Sequence, residues 1–295
     1  MNLADTPGLA IRLPSFVQME PVGRGSVSYR MAPPPALMSL DAFKRLLEQF
    51  PDLRELQLQG TGEPLAHPRF FEMVKYAAER GIEVSTQSAL ATLDERRADE
   101  CVASGLRRLT VCVDPADPRF GRVLRHVARL IEAKRRSASS QPEIRLAALL
   151  TRRNLERLPE LVRVAREFGV ERVVLSSHKE LKNEDPVRLQ RYLHEGEAAA
   201  KEFGVALGRA EPAPTGPNGQ MRCAWPWRGA YISSSGAAMP CCNAAKPDWM
   251  SFGNMHRDGV AAVWNNARYN QFRDRLASDD PPEVCSRCEV YRGSG

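Results

Sequence analysis

The stretch "LRELQLQGTGEPLAHPRFFEMVKYAAERG", residues 53–81, contains a complete strand–turn–helix unit. Its opening "LRELQLQG" alternates apolar and polar residues, which is typical of a half-buried strand. A turn with two glycines follows, and "HPRFFEMVKYAAERG" then has apolar residues at helical spacing up to Gly81. This stretch therefore predicts one strand, a glycine-containing turn and one helix.

The same alternation runs from residue 16 to about residue 205 and predicts six such units. The predicted strands are "FVQME", "LRELQLQG", "IEVSTQS", "RLTVCVD", "IRLAALLT" and "RVVLSS". The predicted helices are "SLDAFKRLLEQF" with Ser39 as its N-cap, "HPRFFEMVKYAAERG", "TLDERRADECVASG", "RFGRVLRHVARLIEAKRR", "NLERLPELVRVAREFG" and "DPVRLQRYLHEGEAAAKEFG". Parallel strands joined by helices are the usual solution to this pattern. Six units are too few for a closed eight-fold barrel, so the sequence predicts an α/β fold with a partial (β/α)6 barrel.

Ligands of such folds bind at the carboxyl ends of the strands. Polar residues predicted at that mouth are Glu20, Glu63, Thr86, Asp114, Asn154 and His178. Each has an ordinary alternative, since Asp114 and Asn154 are also good caps for the helices that follow them. No catalytic triad, paired-carboxylate pattern or phosphate-binding loop is visible.

Composition and charge exclude several classes of protein. The chain has 295 residues and a formal net charge of +6, but its arginines and lysines are scattered rather than interleaved with aromatic residues. Scattered basic residues indicate a solvated surface and not a nucleic-acid site. No apolar run is long enough for a membrane span, and the first residues do not resemble a secretory signal. We therefore expect a cytoplasmic protein with no membrane and no nucleic-acid partner.

The cysteines are distributed unevenly. Two are isolated, at 101 and 112, and the other five are Cys223, Cys241, Cys242, Cys285 and Cys288. A C-x-x-C pair at 285 and 288, with a predicted hairpin that returns Cys241 towards Cys223, offers four thiolates to one metal. A structural zinc ion and an iron–sulfur cluster both fit that ligand set. Cys242 is left as the spare, because adjacent strand residues face opposite sides.

The domain organisation follows from a change in composition at "EPAPTGPNGQ", where proline and glycine mark a linker. The predicted divisions are an N-terminal extension at 1–15, the partial barrel at 16–210, a linker at 211–220 and a cysteine-containing module at 221–295.

Two of these motifs carry a resemblance to the radical S-adenosylmethionine (radical SAM) proteins with a C-terminal SPASM/Twitch-type domain. "QGTGEPLAHPRF" resembles the family's Gly-Gly-Glu motif, which implies that Glu63 would receive the SAM ammonium and that Gly60, Thr61 and Gly62 would shape the backbone. The spacing of Gly236 and Cys241, together with Gly253-Asn254 and Trp264, resembles the Twitch pattern. That resemblance favours one auxiliary [4Fe-4S] cluster over zinc and implies ligation by Cys223, Cys241, Cys285 and Cys288.

The third motif departs from the family. The stretch "MEPVGRGSVSYRMAP", residues 19–33, resembles the loop that carries Cys-x3-Cys-x2-Cys in the family, but Gly25, Tyr29 and Ala32 stand at the cysteine positions. Glycine and alanine have no donor, and a phenol is a poor substitute for a thiolate. The third strand also ends in Thr-Gln-Ser instead of the family's Thr-Asn-Gly. Because these three positions hold three different residue types, we favour a natural loss of the cysteines. A laboratory replacement would more usually install alanines or serines.

The resemblance therefore implies the scaffold without its usual radical chemistry. The leading hypothesis is a degenerate radical SAM/SPASM-like iron–sulfur protein that binds a peptide or small-molecule substrate, or pairs with an active enzyme. The alternatives are a SAM-dependent enzyme with non-radical, transferase-type chemistry and a structural zinc protein. SAM binding is doubtful under the leading hypothesis.

Overall fold

The computed structural model describes residues 11–23, 36–91, 93–177, 181–182, 184–209, 223–244 and 250–292. The positions 25, 29 and 32, His178 and the predicted linker at 211–220 lie outside these residues. The chain divides into two compact units, Met1–Gly62 with Pro212–Gly295, and Glu63–Glu211. None of the described helices combines the length and apolar composition that a bilayer crossing needs.

The described strands are, in chain order, β1 (Phe16–Met19), β2 (Glu55–Leu58), β3 (Glu83–Ser88), β4 (Arg108–Val113), β5 (Glu143–Leu150), β6 (Arg172–Ser177), β7 (Ala206–Arg209), β8 (Gly229–Ile232) and β9 (Ala238–Met239). The α-helices are α1 (Leu40–Leu47), α2 (Phe70–Ala78), α3 (Glu95–Ala103), α4 (Phe120–Arg136), α5 (Leu158–Glu167), α6 (Pro186–Phe203), α7 (Trp225–Arg228), α8 (Met255–Asp258), α9 (Val260–Trp264), α10 (Ala267–Ala277), α11 (Glu283–Ser286) and α12 (Glu289–Arg292). Short 3-10 helices cover Pro64–Ala66, Leu155–Arg157 and Cys242–Ala244.

The unit Glu63–Glu211 contains a sheet of parallel strands in the order β7-β6-β5-β4-β3. Its strands alternate strictly in exposure, so that Val84, Leu109, Val111, Leu146 and Val173 are buried. The residues between them point to the other face of the sheet, because successive strand side chains alternate. That second face is more polar and includes the side chains that line the candidate site.

Local signals in the sequence set the helix ends of this unit. Asp94 accepts a hydrogen bond from the backbone N–H of Arg97 and begins α3, and Asp185 does the same for Val187 at α6. Such N-caps satisfy backbone donors that have no partner inside the helix. Helix α6 ends at Gly204, whose φ of 66° is the left-handed conformation that glycine adopts without strain.

The other unit combines the beginning and the end of the chain in one sheet, in the order β2-β1-β8-β9. Strand β1 is parallel to both β2 and β8, and β9 returns antiparallel to β8 as a hairpin. Helix α1 begins at the predicted cap, where Ser39 Oγ accepts from Ala42 N at 3.1 Å. The C-terminal helices bury Trp264, Tyr269 and Arg273.

The α/β class and the six strand–helix pairs are confirmed by this architecture. Strand β7 was not predicted, because "ALGR" is short and lacks clear alternation. The grouping of the residues also differs from the predicted division into 16–210 and 221–295. The physical reason is the parallel pairing of β8 with β1, from Phe16 opposite Gly229 to Met19 opposite Ile232, which joins the cysteine-containing region to the N-terminal strand.

Candidate functional site

The glycines of the Gly60–Gly62 turn are required by close packing. A Cβ added at Gly60 would lie 2.6 Å from Glu20 Oε1, and one at Gly62 would lie 2.6 Å from the carbonyl oxygen of Val22. Both distances are too short for any side chain. The predicted role of these residues in shaping the backbone is consistent with this packing.

Glu20 follows β1 and is 4% exposed. Its Oε1 accepts from the backbone N of Thr61 at 2.7 Å, from Thr61 Oγ1 at 2.5 Å and from Tyr231 at 3.4 Å, while Oε2 accepts from Ser234 N at 3.3 Å. Buried carboxylates require such donors, since an unpaired charge inside a protein is very costly. Thr61 thus ties Glu20 to the turn and does not present its hydroxyl to a ligand.

Glu63 lies in the other unit, at the start of a short 3-10 helix. Its Oε1 accepts from Ser88 Oγ at 2.6 Å and from Leu65 N at 3.2 Å, and its Oε2 accepts from Ala89 N at 2.9 Å. A carboxylate offers about four acceptor sites, so three protein donors leave little capacity for another one. Ser88 stands at the position where the resemblance leads us to expect glycine, so this contact involves one of the departures noted in the sequence.

A cavity of about 380 Å³ lies within the unit Glu63–Glu211, and its lining includes Ala89, whose backbone N donates to Glu63. Its walls come from the ends of strands β3 to β6 and from the start of α4. Its polar lining consists of Gln87, Cys112, Asp114, Asp117, Arg119, Arg122, His126 and Ser176, and its apolar lining includes Leu90, Val113, Phe120, Val123 and Leu149. The volume lies within the range of small-molecule sites.

Cys112 is the thiol in this wall. Gln87 Nε2 lies 2.8 Å from its Sγ and donates to it. Burial raises the pKa of Cys112, the Gln87 hydrogen bond lowers it, and the nearby charge of Glu63 raises it further. The group therefore remains a neutral thiol. Cys101 is fully buried on α3, and burial raises its pKa to about 12. Cys101 is therefore a buried core side chain, whereas Cys112 is only partly buried in the cavity wall.

A hydrogen bond joins the buried Asn154 to the exposed Asp114, whose Oδ1 also accepts from Ala116 N at 2.9 Å. Asn154 is fully buried, and its Nδ2 donates to Asp114 Oδ1 and to the carbonyl oxygen of Leu149, each at 3.0 Å. Its Oδ1 accepts from Thr151 N at 2.8 Å. The cap prediction for Asn154 is wrong, because its side chain faces back to the strand end. This link fixes the loops that follow β4 and β5 beside the cavity.

The predicted hairpin between the cysteines is confirmed. Tyr231 pairs with Met239 and Ile232 with Ala238, so β9 leads back towards the start of the module just before Cys241. On the other side of the module, the backbone N of Cys288 donates to the carbonyl oxygen of Cys285 at 2.9 Å, which closes the expected C-x-x-C turn. Asn243 Nδ2 lies 3.9 Å from Cys288 Sγ and connects the two regions.

Burial and the charges of other cysteines act on the thiols of this module. Burial raises the pKa of Cys285 to about 12, with the charges of Cys223 and Cys288 adding to it. Burial likewise raises the pKa of Cys223, on which the Cys288 charge also acts. These charges disfavour the thiolate forms of Cys285 and Cys223 unless a cation balances them.

The predicted spare, Cys242, is exposed, whereas Cys241 is partly buried. Desolvation raises the pKa of the Cys242 thiol, and the charges of Cys288 and Cys223 add to this effect. A 3-10 turn begins at Cys242, so the strand does not continue through the pair. Cys241 acts electrostatically on Tyr231 and Tyr269.

The donor set fits a soft metal centre in its chemistry, because thiolates are the ligands of zinc and of iron–sulfur clusters. Its geometry is not preassembled. Among the residues with a described placement, no three histidine, cysteine or carboxylate side chains lie together at ligand spacing. The cysteines are neighbours that would have to draw together around a metal.

Sequence reasoning missed the buried aromatic and guanidinium groups of the cysteine module. Arg273 is 1% exposed and lies 4.2 Å and 4.0 Å from the ring centroids of Trp264 and Tyr269. Burial lowers its pKa to about 10, so it remains a cation at neutral pH. The one available signal was the dense aromatic content of "VWNNARYNQFRDRL", which is unusual for an exposed helix.

Sequence relatives share most of the chain. Residues 223–289 match the SPASM family, described as an iron–sulfur cluster-binding domain. The PqqA peptide cyclase of Gluconobacter oxydans is 26% identical over 261 residues, covering 83% of this chain and 72% of the cyclase. The tungsten-containing aldehyde ferredoxin oxidoreductase cofactor-modifying protein of Pyrococcus furiosus is 24% identical over 271 residues, covering 80% of this chain and 75% of that protein.

Solved structures show the same fold. SuiB of Streptococcus suis bound to S-adenosylmethionine superposes with a TM-score of 0.70 at 14% identity, covering 95% of this chain and 72% of SuiB. SuiB bound to its precursor peptide SuiA gives 0.71 at 13% identity, covering 96% and 71%. A structure of anSMEcpe with bound AdoMet gives 0.67 at 15% identity, covering 95% and 84%. The chain thus shares the fold of these solved structures, and its residues 223–289 match the SPASM iron–sulfur cluster-binding domain.

Proposed function

We propose that this chain is a degenerate radical SAM/SPASM protein that keeps one auxiliary [4Fe-4S] cluster and does not cleave SAM reductively. The observation that carries the proposal is the distribution of thiols. Residues 1–100 contain no cysteine, whereas five cysteines lie between 223 and 288. The loop that would bind a radical cluster has Gly25, Tyr29 and Ala32 at the ligand positions, and these side chains supply no thiolate.

The auxiliary cluster would be held by Cys223, Cys241, Cys285 and Cys288, which saturate its four irons. When bound, such a cluster supplies one-electron transfer and cross-links the module. Thiolate-bound metal contributes about 10 kcal/mol to the folding of small zinc modules. That stabilisation is a sufficient reason for a non-catalytic protein to keep the site. Because the ligands are free thiols, we place the protein in a reducing compartment, the cytoplasm.

A role in the modification of a peptide is supported by the relatives. One is named for a cyclase of the PqqA peptide, and one structure of SuiB contains its precursor peptide. We propose that this chain binds a peptide or small-molecule substrate, or pairs with an active enzyme, in a pathway of that type. Glu63 is the carboxylate that would take the SAM ammonium, but it already accepts hydrogen bonds from Ser88, Ala89 and Leu65. This engagement supports substrate or partner binding over SAM chemistry.

Anaerobic reconstitution tests the proposal. We expect about four irons and four sulfides per chain, one kind of cluster by electron paramagnetic resonance, and no 5′-deoxyadenosine when SAM and a strong reductant are added. The triple variant G25C/Y29C/A32C is the matched comparison and should gain a second cluster. Two iron centres in the unaltered protein, or formation of 5′-deoxyadenosine, would contradict the proposal. Zinc in place of iron would favour the structural zinc alternative.

A SAM-dependent enzyme with transferase-type chemistry is the second candidate. The cavity lined in part by Ala89 favours it, since a site of about 380 Å³ is large enough for a small-molecule ligand. Calorimetry with SAM, followed by a search for a methylated or aminopropylated product, separates the two. Binding with turnover would support the transferase, and binding without product would leave the degenerate protein as the better description.

A further inference from the structure

A strained residue forms part of the cavity wall in the unit Glu63–Glu211. Leu90 lines this cavity, and its backbone φ is 52°. The left-handed conformation is costly for a bulky residue, and Leu90 is also fully buried. Strained backbone persists only where its surroundings hold it, and it is concentrated at functional sites. The strain in this wall therefore points to a function for the cavity.

A chain of hydrogen bonds holds Leu90 in this conformation. Ser88 Oγ accepts from Leu90 N at 2.9 Å and donates to Glu63 Oε1 at 2.6 Å. The backbone N of Ala89 donates to Glu63 Oε2 at 2.9 Å. One carboxylate thus restrains two successive residues of the wall, and Ser88 passes that restraint to Leu90.

The charged side chains of the lining are paired or face solvent. Arg119 donates to both carboxylate oxygens of Asp117, from Nε at 3.0 Å and from Nη2 at 2.7 Å. Asp114 accepts from Asn154 at 3.0 Å and is exposed, as is Arg122. Among the described lining residues, the buried part of the cavity therefore offers no unpaired counter-charge to a charged ligand.

The rest of the lining is neutral and mainly apolar. Burial lowers the pKa of His126, which is 9% exposed, and the charge of Arg129 lowers it further, so the ring is neutral at pH 7. Burial raises the pKa of Cys112, which stays a thiol. The apolar side chains are Leu90, Val113, Phe120, Val123 and Leu149. Such a lining favours an uncharged ligand, because burying an unpaired charge is very costly.

We propose that this cavity binds an uncharged, mainly apolar group, and that Glu63 shapes the cavity by holding Leu90 in its wall. The inference rests on the proposed binding of a peptide or small-molecule substrate, and it names the chemical class. An apolar peptide side chain and a free apolar molecule share this chemistry, and about 380 Å³ accommodates either. Glu63 is then a positioning residue, since it binds the wall and not the ligand. SAM, with its sulfonium and ammonium charges, does not match this lining.

Benzyl alcohol, benzylamine and benzoate test the ligand class, because they share one ring and differ in charge. The readout is the rate at which N-ethylmaleimide alkylates Cys112, measured by mass spectrometry, since a bound probe covers this thiol. We expect benzyl alcohol to protect Cys112 at concentrations about tenfold lower than either ion requires. N-acetylphenylalaninamide places the same ring on a peptide unit. Stronger protection by it assigns a peptide side chain, and weaker protection assigns a free molecule.

Glu63→Gln tests the positioning role, because the amide nitrogen of glutamine cannot accept from Ala89 N. We expect about fivefold faster alkylation of Cys112 and weaker protection by benzyl alcohol. Ser88→Ala is the second variant and should act in the same direction. Glu79→Gln is the matched control, since Glu79 pairs with Lys75 on the surface.

Cys101 separates a local change from general unfolding. It is fully buried in the same unit, so its alkylation should stay slow in every variant. Wild-type Cys112 rates in both E63Q and S88A, or equal acceleration at Cys101, overturn the positioning role. Absent protection, or equal protection by the three probes, overturns the ligand class. None of these readouts uses iron or SAM cleavage, so formation of 5′-deoxyadenosine would contradict the proposed function alone.

Discussion

Ser88 Oγ donates a hydrogen bond of 2.6 Å to Glu63 Oε1. Ser88 is the last residue of β3, and Glu63 begins a 3-10 helix. The contact places a protein hydroxyl on the carboxylate that the Gly-Gly-Glu resemblance assigns to the SAM ammonium. Ala89 N occupies the second oxygen at 2.9 Å. Both oxygens of the side chain thus already accept hydrogen bonds from the protein itself.

Replacing Ser88 by glycine should therefore improve SAM binding. One hydrogen-bond donor is removed from Glu63, and a typical net hydrogen bond is worth about 1 kcal/mol, so we expect affinity to rise about fivefold. Isothermal calorimetry with SAM measures it. Ser85→Gly is the control, because Ser85 is in the same strand and points to the opposite face. Unchanged or weaker binding in S88G would count against competition at this carboxylate.

Cys285→Ala should empty the metal site and destabilise the cysteine module. The side chain lies among Cys223 and Cys288, and loss of one thiolate from a four-ligand centre leaves the others without charge balance. Metal content and thermal unfolding measure the effect. Cys101→Ala, which removes a fully buried thiol of α3, should keep full metal loading. A folded and fully loaded C285A protein would refute the assignment.

The adjacent cysteines give a paired test of the ligand set. We expect Cys241→Ala to lose iron and Cys242→Ala to keep it, because Cys223, Cys241, Cys285 and Cys288 already provide four ligands. The comparison is informative because the charges of Cys223 and Cys288 also act on the pKa of the Cys242 thiol. Iron analysis of both variants after the same reconstitution measures the outcome. Loss of iron in C242A alone would assign Cys242 as the fourth ligand.

His126 should make the protein less stable in mild acid. Burial lowers its pKa below the ordinary value, and Arg129, Arg125 and Arg122 lower it further. The unfolded chain then binds more protons than the folded one below about pH 6.5, so the free energy of unfolding falls as pH falls from there towards the folded-state pKa.

Urea unfolding at pH 7 and pH 5 measures this effect. The decrease should be smaller in His126→Gln, which keeps a polar side chain that does not titrate. His256, whose pKa burial also lowers, contributes in the same direction in both proteins and cancels in the comparison. An equal decrease in wild type and H126Q would show that His126 does not titrate as inferred.

The sequence by itself determined the local elements and the chemistry of the donors. Helix α1 begins at Ser39 because a hydroxyl there can accept from Ala42 N, and such signals need only neighbouring residues. The alternation in β4 and β5 predicted which side chains are buried. The cysteine spacing likewise predicted thiolate ligation, and the resemblance of residues 19–33 to the family's loop predicted that three thiolates are missing at 25, 29 and 32.

Only the tertiary structure decided which distant groups meet. The pairing of β8 with β1, the contact of Ser88 with Glu63 and the placement of Arg273 over Tyr269 each join residues with no local pattern between them. Such contacts depend on strand order and on the packing of buried side chains, which propensity and periodicity do not encode. A carboxylate or a phenol has the same chemistry in any sequence, and its partners exist only once the chain has folded around it.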